Sequence, residues 1–146
     1  MKVVAPGLAL GLALTALMAA PAFAQGDAAA GEKVFKKCAS CHAVGEGAKN
    51  KVGPELNDLF GRVAGSHADF KYSKAMIEAG AAGVVWSSET LHEFLTKPKD
   101  FIKGTKMSFP GLKEVTDIDN LVAYLETFSS ASAAAPAAEE GAPAAQ

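Results

Sequence analysis

Apolar residues recur three and four positions apart in four stretches of the chain, and each stretch predicts a helix. Asp27 can cap the first, in which Val34, Phe35 and Cys38 fall on one face. A short helix fits Ser73 to Ala79, closed by Gly80. A third starts near Ser87 or Ser88, buries Leu91, Phe94 and Leu95, and stops before Pro98, which has no N–H to continue it. The last is the clearest. Thr116 caps it, Asp117 and Asp119 favour its positive end, and Ile118, Leu121, Val122, Leu125 and Phe128 form its apolar stripe. Residues 43–57 and 98–115 are interrupted by Gly and Pro and read as mostly irregular. No stretch alternates long enough to predict a strand, and no segment repeats. The pattern predicts an all-α domain.

The two ends carry a different composition. Lys2 precedes an apolar run from Val3 to Ala20, and Ala22-Phe23-Ala24 follows as a small-x-small cleavage site. Residues 1–24 therefore read as an export signal, with Gln25 first in the mature chain. The competing reading, an uncleaved membrane anchor, meets a run near the lower limit for spanning a bilayer. From Ser129 onward there are nine Ala, two Pro and no large apolar residue, so 129–146 is expected to be disordered. One domain, 25–128, remains, too short for two. The chain's 49% hydrophobic content is inflated by the signal. Fourteen Lys and Arg against sixteen Asp and Glu give a formal charge of −2. A near-neutral domain argues against a general nucleic-acid binder. Composition also excludes a collagen, a coiled coil, a disulfide-dense miniprotein and a polytopic membrane protein. The expected product is soluble, in an oxidising space outside the cytoplasm; in a prokaryote with two membranes that is the periplasm.

The chain's only two cysteines stand in Cys38-Ala39-Ser40-Cys41-His42. This C-x-x-C-H spacing is that of covalent haem attachment. Two thiols three residues apart on a helical turn face the same way, so both can add to the vinyl groups of a haem. The tether then holds the adjacent imidazole under the iron. Three other readings compete. A plain disulfide would close a loop too short to constrain much unfolded chain. A thioredoxin-like redox pair lacks its βαβ surroundings. Half a zinc site has no second Cys pair, and His67 and His92 are not spaced to complete one.

An electron-transfer haem wants a second axial ligand, and the candidates are His67, His92, Met76 and Met107. Met76 and His92 lie in predicted helices and read as a core methionine and a surface or satisfied histidine. His67 sits in the polar loop Gly65-Ser66-His67-Ala68-Asp69 and reads as solvated. Met107 stands in the irregular loop from Lys103 to Pro110. A thioether there is a soft ligand that favours ferrous iron, and it makes Met107 the best candidate.

Together these residues give the chain a wider likeness. Through 27–128 it resembles a class I cytochrome c, of the bacterial cytochrome c2 group related to mitochondrial cytochrome c. The likeness runs in order through Gly31 and Phe35, Cys38-x-x-Cys41-His42, Gly53-Pro54-x-Leu56, Phe60-Gly61-Arg62, Phe70-x-Tyr72 and Trp86. It continues through Lys97-Pro98-Lys99, Gly104-Thr105-Lys106-Met107 and Leu121-Val122-Ala123-Tyr124-Leu125. The resemblance implies an all-α fold in which the N- and C-terminal helices cross around one covalent haem c. It implies His42 and Met107 as axial ligands and Cys38 and Cys41 as attachment points. The Pro54 carbonyl would orient His42, and Arg62, Tyr72, Trp86 and Thr105 would hold a haem propionate. Gly31 would let the first helix cross the last, with Phe35, Leu121 and Tyr124 at the contact. Some positions depart from the family. Met76 replaces an asparagine usual in mitochondrial members, Lys103 replaces a common proline, and the insertions of the larger c2 proteins are absent.

Charge suggests a docking face. Lys36, Lys37, Lys49 and Lys51 flank the attachment motif, and Lys97, Lys99, Lys103, Lys106 and Lys113 surround Met107. Glu114, Asp117, Asp119 and Glu126 follow as an acidic back. The expected function is a monomeric one-electron carrier, not an enzyme. The resemblance implies that it takes electrons from a quinol–cytochrome c reductase to a terminal oxidase or photosynthetic reaction centre. The alternatives are a dedicated acceptor for a periplasmic dehydrogenase, a peroxidase-like haem protein with an open sixth position, and a membrane-tethered module.

Overall fold

The computed structural model describes residues 26–130. The expected signal and the expected tail beyond Ser130 lie outside them. Five helices form among the described residues: α1 (Ala28–Phe35), α2 (Lys74–Ala81), α3 (Ser88–Thr96), α4 (Pro98–Phe101) and α5 (Val115–Glu126). One isolated antiparallel bridge joins Val63 to Val85. None of these helices is long and apolar enough to cross a membrane.

Capping explains where most helices begin. The Asp27 carboxylate accepts from the N–H groups of Ala29 and Ala30, at 2.8 and 3.2 Å. Ser73 accepts from Met76 N–H, and Ser87 shares a reciprocal capping box with Thr90. Three boundaries differ from those predicted. Thr116 does not cap α5; Glu114 holds that position in extended conformation, with no side-chain bond, and its carbonyl takes the first N–H groups. Gly80 does not close α2 but lies inside it. A Cβ there would stand 2.0 Å from the Ala64 carbonyl oxygen, so this glycine admits the neighbouring backbone. Helix α4 was read as irregular. Pro98 ends α3, yet its fixed φ suits a first helical position, and one further turn starts on it.

The main contact is the crossing of α1 over α5. A Cβ on Gly31 would meet the Asn120 carbonyl oxygen at 1.9 Å, so no other residue lets the two backbones come this close. Phe35 and Tyr124 pack beside it, ring centroids 5.5 Å apart, and the Asn120 side chain takes the N–H of Asp27 at 2.7 Å. Ile118 and Leu121 are fully buried below. Helix α3 packs on both α4 and α5, with Trp86, Phe94 and Phe101 stacked edge to face along it.

The folded chain runs past the boundary expected at 128. Ser129 is buried, the Phe128 carbonyl accepts from Asp58 N–H at 2.9 Å, and Ser130 N–H donates to the Asp58 carboxylate at 2.7 Å. The Ser130 hydroxyl and N–H hold that carboxyl below its ordinary range. The end of α5 is thereby tied to the segment after Pro54.

Gly31→Val forces the crossing helices apart. It is expected to cost about 3 kcal/mol or more of stability by overpacking, read as a lowered midpoint in guanidinium unfolding. An unchanged midpoint would mean that the helices can part cheaply.

Candidate functional site

The centre of the domain is a cavity of about 610 Å³. Its walls are mostly apolar: Phe35, Leu56, Leu59, Leu91, Phe94 and Leu125 are among them. Every site residue expected from the sequence reaches it: Cys38, Cys41, His42, Pro54, Arg62, Tyr72, Trp86, Thr105 and Met107.

The attachment wall follows from helical geometry continued past α1. Cys38 and Ala39 N–H groups bond back to the Phe35 carbonyl, and Cys41 and His42 to the Cys38 carbonyl. These turns bring both cysteines to the cavity as free thiols. Burial pushes the Cys38 thiol up to about 11, against a weaker opposing pull from Lys37. That direction is opposite to a redox-active Cys-x-x-Cys pair, whose thiol is held low. His42 Nδ1 lies 2.7 Å from the Pro54 carbonyl oxygen, which fixes the tautomer with hydrogen on Nδ1 and leaves the Nε2 lone pair free. Burial lowers the His42 ring below its ordinary range, the Pro54 bond working against it. Gly53 provides the room. A Cβ there would stand 2.4 Å from His42 Cε1.

A second wall holds polar groups. The bridge region brings Arg62 and Trp86 together, with Trp86 N–H donating to the Arg62 carbonyl at 2.9 Å. Arg62 donates to the carbonyls of Asn57 and Glu55, each at 3.3 Å. Burial pushes the Tyr72 hydroxyl above its ordinary range, with the Arg62 charge pulling it back. Thr105 does a local task as well: its oxygen accepts Met107 N–H at 3.2 Å and shapes the methionine loop.

The candidate sixth ligands separate. His92 meets Asp119 at 2.8 Å between α3 and α5, outside the cavity. His67 is not solvated as expected. It is mostly buried against Glu55, its Nε2 3.1 Å from Oε1, because the Gly65–Asp69 loop folds back over the segment after Pro54. Met107 and Met76 both reach the cavity, Met107 from its loop and Met76 from α2, where it is part of the core.

The cavity's rim carries residues that sequence reasoning missed. Lys37, Lys71 and Lys106 are exposed and line it, with Val52 at 81% exposure between polar neighbours. Lys71 was overlooked because it stands alone between Phe70 and Tyr72, outside both lysine clusters. Lys37 pairs with Asp117 at 3.0 Å, so one acid assigned to the back instead reaches the rim. Lys97 and Lys99 border a neighbouring hollow of about 350 Å³.

The cytochrome c family model matches residues 28–129. The chain belongs to the cytochrome c family. A cytochrome c2 of Afifella marina is 61% identical over 100 residues, 68% of this chain and 81% of that protein. A cytochrome c2 of Blastochloris viridis is 48% identical over 122 residues, 84% of this chain and 93% of that one. The solved cytochrome c2 of Rhodospirillum centenum superposes with a TM-score of 0.69 at 40% identity, over 71% of this chain and 99% of that one. The chain falls in the class I, bacterial cytochrome c2 group; it is a single-haem electron carrier, and its cofactor is covalently attached haem c. The residues fit that group. Two thiols and an imidazole with a free nitrogen share the apolar cavity with thioether sulfur, and Gly53 leaves space for the ring that must bind.

Gly53→Ala pushes its methyl into the imidazole. The expected result is a changed ferric EPR spectrum and a lower yield of holoprotein. An identical spectrum would show that the ring is not seated against residue 53.

Proposed function

We propose that the mature protein is a soluble periplasmic carrier that moves single electrons between membrane redox complexes, docking through the lysine rim of its cavity. The observation that supports it most is the meeting of the Cys38–His42 turn and Met107 in one apolar cavity edged by positive charge. When bound, the haem supplies a reversible one-electron iron couple. Cys38 and Cys41 tether it, and His42 and Met107 hold the metal. Pro54 keeps the His42 nitrogen aimed and strengthens its donation. Met107 is the better sulfur ligand than Met76 because its loop is shaped by Thr105, whereas Met76 is committed to the core of α2. Arg62, Tyr72 and Trp86 form the polar wall suited to a propionate. Filled axial positions leave no open site for peroxide chemistry, so the protein is not an enzyme.

The rim explains transfer. Lys71 and Lys106 project beside exposed Val52, an arrangement of apolar contact ringed by charge. Such a surface steers an acidic partner to the haem edge and releases it as salt screens the attraction. A quinol–cytochrome c reductase is the donor this suits, and a terminal oxidase or photosynthetic reaction centre the acceptor.

Replacing Cys38 and Cys41 together with Ser abolishes covalent haem. Colour that stays with the polypeptide after acid–acetone extraction would refute the attachment. Lys71→Glu with Lys106→Glu is expected to slow reduction by quinol–cytochrome c reductase about tenfold or more at low salt, with the gap closing as salt rises. An unaltered rate at low salt removes the rim as the docking surface.

A further inference from the structure

Behind the polar wall lies a charged cluster that the electron-carrier reading does not use. Glu55 and Arg62 are 15% and 14% exposed at the side chain, and His67 is 22% exposed. The Glu55 carboxylate has both oxygens engaged. Oε2 accepts Asn57 N–H at 2.8 Å, while Oε1 is shared between His67 Nε2 at 3.1 Å and Arg62 Nη1 at 4.0 Å. A carboxylate can only accept, so His67 Nε2 carries the hydrogen and the second ring nitrogen, Nδ1, is the one that gains or loses a proton. Arg62 in turn reaches the cavity. The cluster thus runs from a titratable ring, through one carboxylate oxygen, to the guanidinium on the cavity wall.

We propose that Glu55 and His67 form a proton-binding couple behind Arg62, through which the protein takes up part of a proton as it accepts an electron. The inference rests on the reading that Arg62 meets a haem propionate. With His67 protonated, Glu55 is shared between two cations and compensates Arg62 less, so the cavity wall is more positive. With His67 neutral, the carboxylate compensates Arg62 alone. Ferric iron carries one more positive charge than ferrous iron, so the oxidised state disfavours protonated His67 and the reduced state favours it. Reduction therefore draws an electron from the redox partner and a fraction of a proton from solvent onto His67 Nδ1. The coupling acts equally in both directions.

Other groups facing the cluster are few among the described residues. Tyr72 meets the backbone of His67 and feels both Arg62 and Glu55. Asp58 acts on Arg62 from the exposed side. Asp69 and Lys71, in the loop that carries His67, are exposed. Asn50 braces the cluster, accepting Glu55 N–H at 2.9 Å and donating to the Asp69 carbonyl at 3.1 Å. Histidine is the member that titrates across neutral pH.

The test is a potentiometric titration of the holoprotein from about pH 5 to 9. The potential is expected to be higher at low pH and to fall through the histidine range. A threefold weaker hold of His67 on its proton in the ferric state corresponds to a fall of about 30 mV, at 59 mV per tenfold for one electron. His67→Asn removes that step, and Glu55→Gln shrinks it. In wild-type protein the His67 ring protons, followed by NMR, titrate at higher pH in the ferrous than in the ferric form. A step retained in full by His67→Asn, or His67 titrating identically in both oxidation states, overturns the proposal. Arg62→Gln reports on the reading beneath: a potential shifted at every pH supports the propionate contact whatever His67 does, and an unmoved potential overturns that contact and the coupling with it.

Discussion

A domain of about one hundred residues has a small core, and here that core surrounds a space of about 610 Å³. Left dry, such a volume costs on the order of 15 kcal/mol at about 24 cal/mol per Å³, as much as a domain's whole stability. The haem is therefore a member of the core as much as its cargo. Helix contacts run α1 to α5, α3 to α5 and α3 to α4, and they frame the cavity more than they fill each other. Leu59, Leu91, Phe94 and Leu95 are buried and also face the cavity, so their burial depends on what it contains. A covalent tether at Cys38 and Cys41 suits such a fold. It keeps the filling in place whenever the small frame opens.

The frame then sets the chemistry through backbone more than through side chains. Gly31 draws α1 onto α5, and the helical turns that continue past Phe35 carry Cys38, Cys41 and His42 to the wall. Gly53 and Pro54 follow at once, one giving the imidazole room and the other giving it an acceptor. Neither contributes a reactive group. A side chain at 53 would displace the ring, and without the 2.7 Å bond to Pro54 it would be free to turn. The same economy appears at Thr105, which bends the loop that presents Met107.

The helices legible in the sequence were those with a long apolar stripe or a side-chain cap, as at Asp27, Ser73 and Ser87. Boundaries set by backbone alone were not legible. Glu114 starts α5 by its carbonyl, and Gly80 serves a close approach inside α2 that only the folded neighbour reveals. Pro98 signals both a stop and a start, and only the stop was read. At the site, residue types and spacing brought the cavity's cysteines, histidine and methionines forward. The His67–Glu55 pair was hidden because polar residues twelve positions apart carry no periodic signal. Ser129 and Ser130 looked like tail because small polar residues do not advertise burial, yet they close the fold on Asp58.

Electrostatics at the rim and behind the polar wall act on different properties of the same carrier. Lys71 and Lys106 are exposed, so their effect is long-ranged at low salt, screened at high salt, and expressed in the rate of encounter. Glu55, Arg62 and His67 are mostly buried, where screening is weak and charges act over short distances on the iron's preference for one oxidation state. A near-neutral domain can therefore be both a directed shuttle and a tuned one, because the two sets of charges are separated by burial rather than by sign. Lys37, paired with Asp117 on α5, belongs to neither set: its charge is largely spent within the molecule, and it ties the attachment turn to the helix that α1 crosses.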